Sequence, residues 1–219
     1  MTIQKTTIRE QIYTIVRQRI LSGELGLGEK INIMALSAEL NVSNTPVREA
    51  LSMLERDGLI KVTPNAGPRV IEYSPELFAS VEKAVEALML GALELIIHTG
   101  KKTALCDMLR EALAHQLETH KTAPLHEYTR TSLKFDGCFI RCTENDYLLK
   151  MYLEVMDIFY LVALYDQSIR DEERLIIIDE HRRILRAIEG DKYEEARQLI
   201  MKHYGRMDGG SAPDGEQAG

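Results

Sequence analysis

The stretch Asn41 to Ile60, NVSNTPVREALSMLERDGLI, constrains the fold of this chain more than any other. A polar turn, Val42-Ser43-Asn44-Thr45, leads into Pro46, whose fixed φ suits a first helical turn, and Ser43 or Thr45 can cap the free N–H groups. Val47, Ala50, Leu51 and Leu54 then recur at helical spacing on one stripe, while Thr45, Arg48, Ser52, Glu55 and Arg56 fall on the other. One face packs and the other is offered to a partner. Asp57-Gly58 ends the helix before an apolar strand.

A shorter helix precedes it, with Asn32 as cap, Ile33, Leu36 and Leu40 on its inner stripe, and Asn41 at the turn, a residue that tolerates the left-handed conformation. Two helices joined by so tight a turn read as a helix-turn-helix, whose second helix can enter a DNA major groove. Asn44, Thr45 and Arg48 stand at its leading end, and the Arg48 guanidinium has the donor geometry for a guanine edge. An ordinary helical hairpin with a solvated outer face has the same amphipathic pattern. The residues after the second helix weigh against it: Leu59 to Thr63 reads as a strand, Pro64-Asn65-Ala66-Gly67-Pro68 as a turn, and Arg69 to Glu72 as a returning strand. A β-hairpin directly after such a helix is a wing.

Ser43-Asn44-Thr45-Pro46-Val47-Arg48-Glu49-Ala50-Leu51, followed by Leu54-Glu55-Arg56-Asp57-Gly58-Leu59, resembles the S-R-T-P-V-R-E-A-L and L-E-x-x-G-L runs of the GntR family of bacterial transcription regulators. The resemblance spans Ile12 to Val70. It implies a winged helix-turn-helix with Ser43, Asn44, Thr45, Arg48, Gly67 and Arg69 on double-stranded operator DNA. Asn44 and Ala66 stand where the family commonly has Arg, so two cations are missing from that face and the operator does not carry over from relatives.

The formal net charge of −7 at pH 7 is unevenly spread. Residues 1 to 72 hold 9 Lys and Arg against 8 Asp and Glu, a net +1, and the remainder carries −8. So small a positive excess favours a homodimer that sums two half-site contacts. The chain's 219 residues suffice for two domains with cores of their own. Cys106, Cys138 and Cys142 form no even framework and no CxxC, which points to a reducing cytoplasm. Cys138 and Cys142, four apart, have the spacing to share a metal, although thiols more often act as small core residues. No apolar run reaches a membrane span and MTIQKTTIRE has no signal-peptide core, so the reading is a cytoplasmic protein without a membrane partner, bacterial as the family resemblance implies.

Thr6 or Thr7 caps a first helix with Ile8, Ile12, Ile15, Val16 and Ile20 inward, and Gly26 to Lys30 turns the chain toward the helix-turn-helix. Tyr73-Ser74-Pro75 closes this part. The expected organisation is a winged domain over 1–73, an all-helical domain over 74–207 to which the family resemblance assigns effector binding and dimerisation, and a glycine-rich disordered tail over 208–219. The fold class is mainly α, a two-stranded wing beside a six-helix bundle. The helices are placed near 75–98, 101–121, 124–143, 145–169, 171–189 and 191–206. Tyr147 to Tyr165 is apolar nearly all round, which makes that helix central or turns it to a partner subunit.

Three polar residues break the apolar stripes of the bundle. Asp136 shares a stripe with Phe135, Phe139 and Ile140; His181 leads Ile184, Leu185 and Ile188; His203 continues Ala196, Leu199 and Ile200. One carboxylate and two imidazoles suit a divalent transition metal, zinc or nickel, if they meet. Each taken alone is more often a hydrogen-bonded core residue. The run Glu180-His181-Arg182-Arg183-Ile184-Leu185-Arg186-Ala187-Ile188-Glu189-Gly190-Asp191 is similar to that of the FadR-like (FCD) effector domain, which many members equip with an Asp, a His four residues on, and two later His. Asp136, His181 and His203 match that set, and Ile140 stands where the second ligand is expected. The resemblance further implies a small organic acid as effector, often beside a first-helix Arg; here that turn reads Glu82-Lys83-Ala84-Val85-Glu86. Tyr152, Met156, Phe159 and Tyr160 are pocket walls or core, and Asn145 matches a family loop residue or caps a helix.

Two functions fit these residues. One is a dimeric, ligand-responsive DNA-binding repressor. The other is a helical metalloenzyme built on Asp136, His181 and His203, but no phosphate-binding Gly pattern, G-x-S-x-G or H-E-x-x-H accompanies that triad.

Overall fold

The structure, a computed structural model, describes residues 6–165 and 171–205. The tail expected over 208–219 and the last turn expected for the 145–169 helix lie outside the described residues. The chain forms two compact units, Met1–Ser74 and Pro75–Gly219.

In the first unit, Thr7 caps α1 (Ile8–Leu21) through a reciprocal capping box with Glu10. Ile12, Val16 and Ile20 are buried on α1, whereas Ile8 and Ile15, expected inward, are exposed. Ile15 lies about 100° round the helix from Val16, and Ile8 opens the helix, one turn before the buried stripe begins. Asn32 caps α2 (Ile33–Glu39), its Oδ1 accepting from the N–H groups of Met34 and Ala35. Asn41 then takes a φ of 51°, which reverses the chain into α3 (Asn44–Arg56). Val47, Ala50, Leu51 and Leu54 are buried on α3 and pack with α1, as their spacing predicts.

The wing pairs β1 (Ile60–Thr63) with β2 (Gly67–Val70), antiparallel, with Ile60 opposite Val70 and Thr63 opposite Gly67. That register shortens the expected turn to Pro64-Asn65-Ala66, where Asn65 takes a φ of 66°. Glu29 and Lys30, expected only as part of a turn, run with Ile31 along the other edge of β2. Val70 N–H donates to the Glu29 carbonyl and Ile31 N–H to the Pro68 carbonyl, each at 2.9 Å.

The second unit holds six helices among the described residues: α4 (Pro75–Thr99), α5 (Lys102–Thr119), α6 (Leu125–Cys142), α7 (Asp146–Tyr165), α8 (Asp171–Glu189) and α9 (Tyr193–Tyr204). Gly100, Glu144 and Asp191 take positive φ where the chain leaves α4, α6 and α8. The centre of the bundle is α6, buried without a break from Phe135 to Ile140. The helix expected to be central or to face a partner subunit, α7, is split: Tyr152, Met156 and Phe159 to Ala163 are buried, while Tyr147, Met151 and Leu153 are exposed. None of the described helices is long and apolar enough to cross a membrane.

Candidate functional site

The offered edge of α3 begins at its cap. Ser43, Asn44, Thr45 and Arg48 are all exposed, opposite the buried Val47, Ala50 and Leu51. Ser43 occupies the cap position without making a side-chain cap bond, so its hydroxyl is not committed to the helix. Asn44 is partly engaged: its Oδ1 takes a hydrogen bond from Ser37 Oγ at 2.7 Å, a brace between α2 and α3. Glu55, read from sequence as part of the offered face, instead accepts from Val62 N–H at 3.0 Å and ties the wing to α3. On the wing, Gly67 takes a φ of 83° at the hairpin. Arg69 is exposed on β2 and donates from Nη1 to the Gly28 carbonyl at 3.1 Å, which steadies the side chain while other guanidinium donors remain.

In the bundle the three polar residues converge. Asp136 from α6, His181 from α8 and His203 from α9 each offer a ligand atom, and these atoms lie within 4.8 Å of one another. Asp136 Oδ1 is buried with no hydrogen-bond partner among the described residues, 3.9 Å from His181 Nε2. Both rings are held from behind. His181 Nδ1 meets Gln116 Oε1 at 2.8 Å and His203 Nδ1 meets Glu180 Oε2 at 2.7 Å. Oxygen acceptors at Nδ1 are the arrangement that presents Nε2 to a metal. The Phe135 ring stacks on His181 at 4.0 Å, so the imidazole cannot swing.

Burial pushes the Asp136 carboxyl up to about 6, partly offset by His203 and by a hydrogen bond from Tyr204. The Tyr204 hydroxyl donates to Met89 Sδ at 2.9 Å. Burial, then the Asp136 charge, holds the Tyr204 and Tyr152 hydroxyls well above their ordinary range. A buried, orphaned carboxylate oxygen beside two oriented imidazoles is a donor set that fits a divalent cation. Donors on one tetrahedral zinc stand about 3.3 Å apart, so the side chains need draw in by only about an ångström. The cysteines do not join them: Cys138 Sγ points to the Lys134 carbonyl and Cys142 Sγ to that of Lys101.

The residues expected around an effector separate into two groups. Glu82 and Tyr152 are buried, and the Tyr152 hydroxyl donates to the Leu133 carbonyl at 3.2 Å. Met156 and Tyr160 are buried on the same helix as Tyr152, and the Tyr160 hydroxyl has no hydrogen-bond partner among the described residues. Asn145 is different. It is exposed and its Oδ1 accepts from the N–H groups of Tyr147 and Leu148, which is helix capping. Ile140 is fully buried in apolar packing and offers no ligand atom.

Comparison with known proteins decides what carries these two sites. The family of bacterial regulatory proteins named gntR matches residues 8–70, and the FCD domain matches residues 81–206. The chain belongs to the GntR family, in its FCD branch. It is similar to the HTH-type transcriptional regulator YdhC of Bacillus subtilis (strain 168), 25% identical over 194 residues covering 89% of this chain and 86% of that one. A second relative, the "Probable D-xylose utilization operon transcriptional repressor" of Paenarthrobacter nicotinovorans, is 24% identical over 92% of this chain and 87% of its own. The same fold occurs in a GntR transcriptional regulator from Rhodococcus sp. RHA1, with a TM-score of 0.75 at 16% identity over 94% of this chain and 100% of that one. As a GntR-family protein with an FCD domain, this chain is a ligand-responsive DNA-binding transcription regulator and not an enzyme.

Sequence reading missed three residues of the regulator's buried cluster: Gln116, Glu180 and Tyr204. Gln116 left a trace, as the one amide on the apolar stripe Leu105, Leu109 and Leu113. Glu180 and Tyr204 left none, because each is merely the chain neighbour of a histidine and its part depends on how α8 and α9 pack.

Proposed function

We propose that this GntR-family regulator acts as a homodimeric repressor, setting two copies of α3 on operator half-sites. Ser43, Asn44, Thr45 and Arg48 would contact bases and phosphates, and Gly67 and Arg69 would carry the wing along the backbone. One observation carries this reading: the polar edge of α3 is exposed along its first turns while the opposite stripe is sealed into the core. The exposed apolar Tyr147, Met151 and Leu153 on α7 support pairing through the helical unit. A mobility-shift titration tests the head. Arg48→Ala is expected to lower specific affinity by about 1–3 kcal/mol, and unchanged affinity removes Arg48 from the interface.

We further infer that Asp136, His181 and His203 hold a divalent transition metal, zinc or nickel. Glu82, Tyr152, Met156 and Tyr160 form the wall against which a small carboxylate effector rests. When bound, the metal would supply a Lewis-acidic position for an anionic donor, since three protein ligands meet among the described residues and Ile140 adds none. Asn145 has no part in this wall, its amide being spent on the cap. An effector shifts the regulator only to the extent that it binds the DNA-competent and DNA-incompetent arrangements unequally. Thermal shift with zinc or nickel, each with and without chelator and candidate carboxylates, reads both ligands through a stabilisation of RT ln(1 + [L]/Kd). No shift with either metal overturns the metal's part and leaves the DNA head untouched.

A further inference from the structure

The buried amide of Gln116 sits at a junction of α5, α6 and α8, with hydrogen-bond partners on both its nitrogen and its oxygen. The Tyr128 hydroxyl donates to the Arg174 carbonyl at 3.0 Å. A phenol has one proton, so toward Gln116 the Tyr128 oxygen can only accept. The Gln116 group 3.1 Å away is therefore the NH2, and its second N–H reaches Ser132 Oγ at 3.0 Å. Turned over, the amide would set its carbonyl against the Tyr128 oxygen, whose proton goes to the Arg174 carbonyl.

With the NH2 so placed, Oε1 faces His181 Nδ1 at 2.8 Å. A carbonyl oxygen accepts only, so Nδ1 must carry the proton. The neutral ring then has its lone pair on Nε2, on the side of Asp136 Oδ1 3.9 Å away. Gln116 is fully buried, as are Tyr128 and His181, so water does not compete for any of these bonds.

We propose that Gln116 is a positioning residue that locks His181 in the Nδ1–H tautomer and so aims its Nε2 lone pair at the gap shared with Asp136 and His203. Neither the helix-turn-helix nor the Asp-His-His set assigns it a role. Its consequence for metal affinity rests on the proposed metal site; its hold on the ring does not. A histidine ligand whose Nδ1 partner is removed typically loses roughly 10- to 100-fold in metal affinity.

The test uses the full chain, first stripped of metal. Long-range nitrogen–proton correlation spectra of the imidazole rings report which nitrogen is protonated. Wild type is expected to show His181 protonated at Nδ1. Gln116→Leu, which keeps the volume and removes the acceptor, should shift it to Nε2–H or a mixture. Gln116→Glu, which restores an acceptor, should return Nδ1–H, and Tyr128→Phe, which unlocks the amide, should loosen the preference. The Tyr128→Phe and Gln116→Glu variants keep the question decidable should Gln116→Leu fail to fold. Zinc affinity by chelator competition should fall roughly 10- to 100-fold in Gln116→Leu and stay within a few-fold of wild type in Gln116→Glu. An Nε2–H ring in wild type, or a tautomer indifferent to these substitutions, overturns the proposal. Wild type that takes up no zinc or nickel yet shows the Gln116-dependent tautomer sinks the metal reading and supports the lock.

Discussion

The winged head and the helical unit place their polar chemistry in opposite ways. In the head, Ser37 is the one buried polar side chain among the described residues, and the groups that face DNA in the proposed reading, Ser43, Asn44, Thr45, Arg48 and Arg69, lie outside an apolar core. The helical unit buries Glu82, Gln116, Thr129, Thr131, Ser132, Asp136, Arg174 and His181. A reader of DNA needs charge in water, where it can exchange counterions for phosphates. A holder of small ligands needs charge out of water, where each hydrogen bond is strong and each orphaned atom is costly. Stability and function are therefore separable in the head and entangled in the bundle.

The largest expected effect attacks the head's core. Leu54 is fully buried, and Leu54→Ala should cost about 2–5 kcal/mol in urea denaturation while zinc uptake by the bundle stays as in wild type. A loss below about 1 kcal/mol would mean that α3 is not held by its apolar stripe.

In the bundle, function itself should weigh on stability. The Asp136 carboxyl is pushed from an ordinary 3.8 up to about 6 by burial. Between those values the unfolded chain has ionised this group and the folded chain has not. Its favourable contribution is thus complete below about pH 4 and is lost as pH rises through about 6, a change of roughly 3 kcal/mol in metal-free protein. Asp136→Asn removes that dependence. Denaturation midpoints of wild type and Asp136→Asn, compared from about pH 4 to 7, measure it, and a flat difference would show that the carboxylate is not desolvated. Added zinc should reverse the sign, because a metal binds the ionised form.

Arg48→Ala sharpens the contrast from the other side. A loss of about 1–3 kcal/mol in DNA affinity should come with a stability change within about 0.5 kcal/mol, since the side chain is exposed. Linked changes of similar size would erase the distinction drawn between the two units. The smallest effect is Asn32→Ala, which removes the acceptor for the Met34 and Ala35 N–H groups. It should cost about 1 kcal/mol, read as a shift in the thermal midpoint.

Much of this was legible in the chain because it is local. Asn32, Asn41, Pro46 and the Val47-Ala50-Leu51-Leu54 stripe act on neighbours within a turn or two, so the helix-turn-helix, the wing and the six bundle helices could be laid out from spacing alone. The misreadings arose where distance along the chain and distance in space part company. Ile8 and Ile15 share the composition of the α1 core but not its buried face, and Glu55 serves the wing across a turn. The Glu29 to Ile31 edge exists only because β2 arrives beside it.

By itself the amino-acid sequence determined that one face of α3 would be apolar and the other polar, and that an aspartate and two histidines would interrupt the stripes of three bundle helices. Only the tertiary structure decided that those three meet, that Gln116 and Glu180 stand behind the two rings, and that Asn145 is spent on a cap. Helical periodicity specifies which side of a helix a residue lies on, but the partner across the core is chosen by the packing of whole helices against one another, and no short-range rule contains that information.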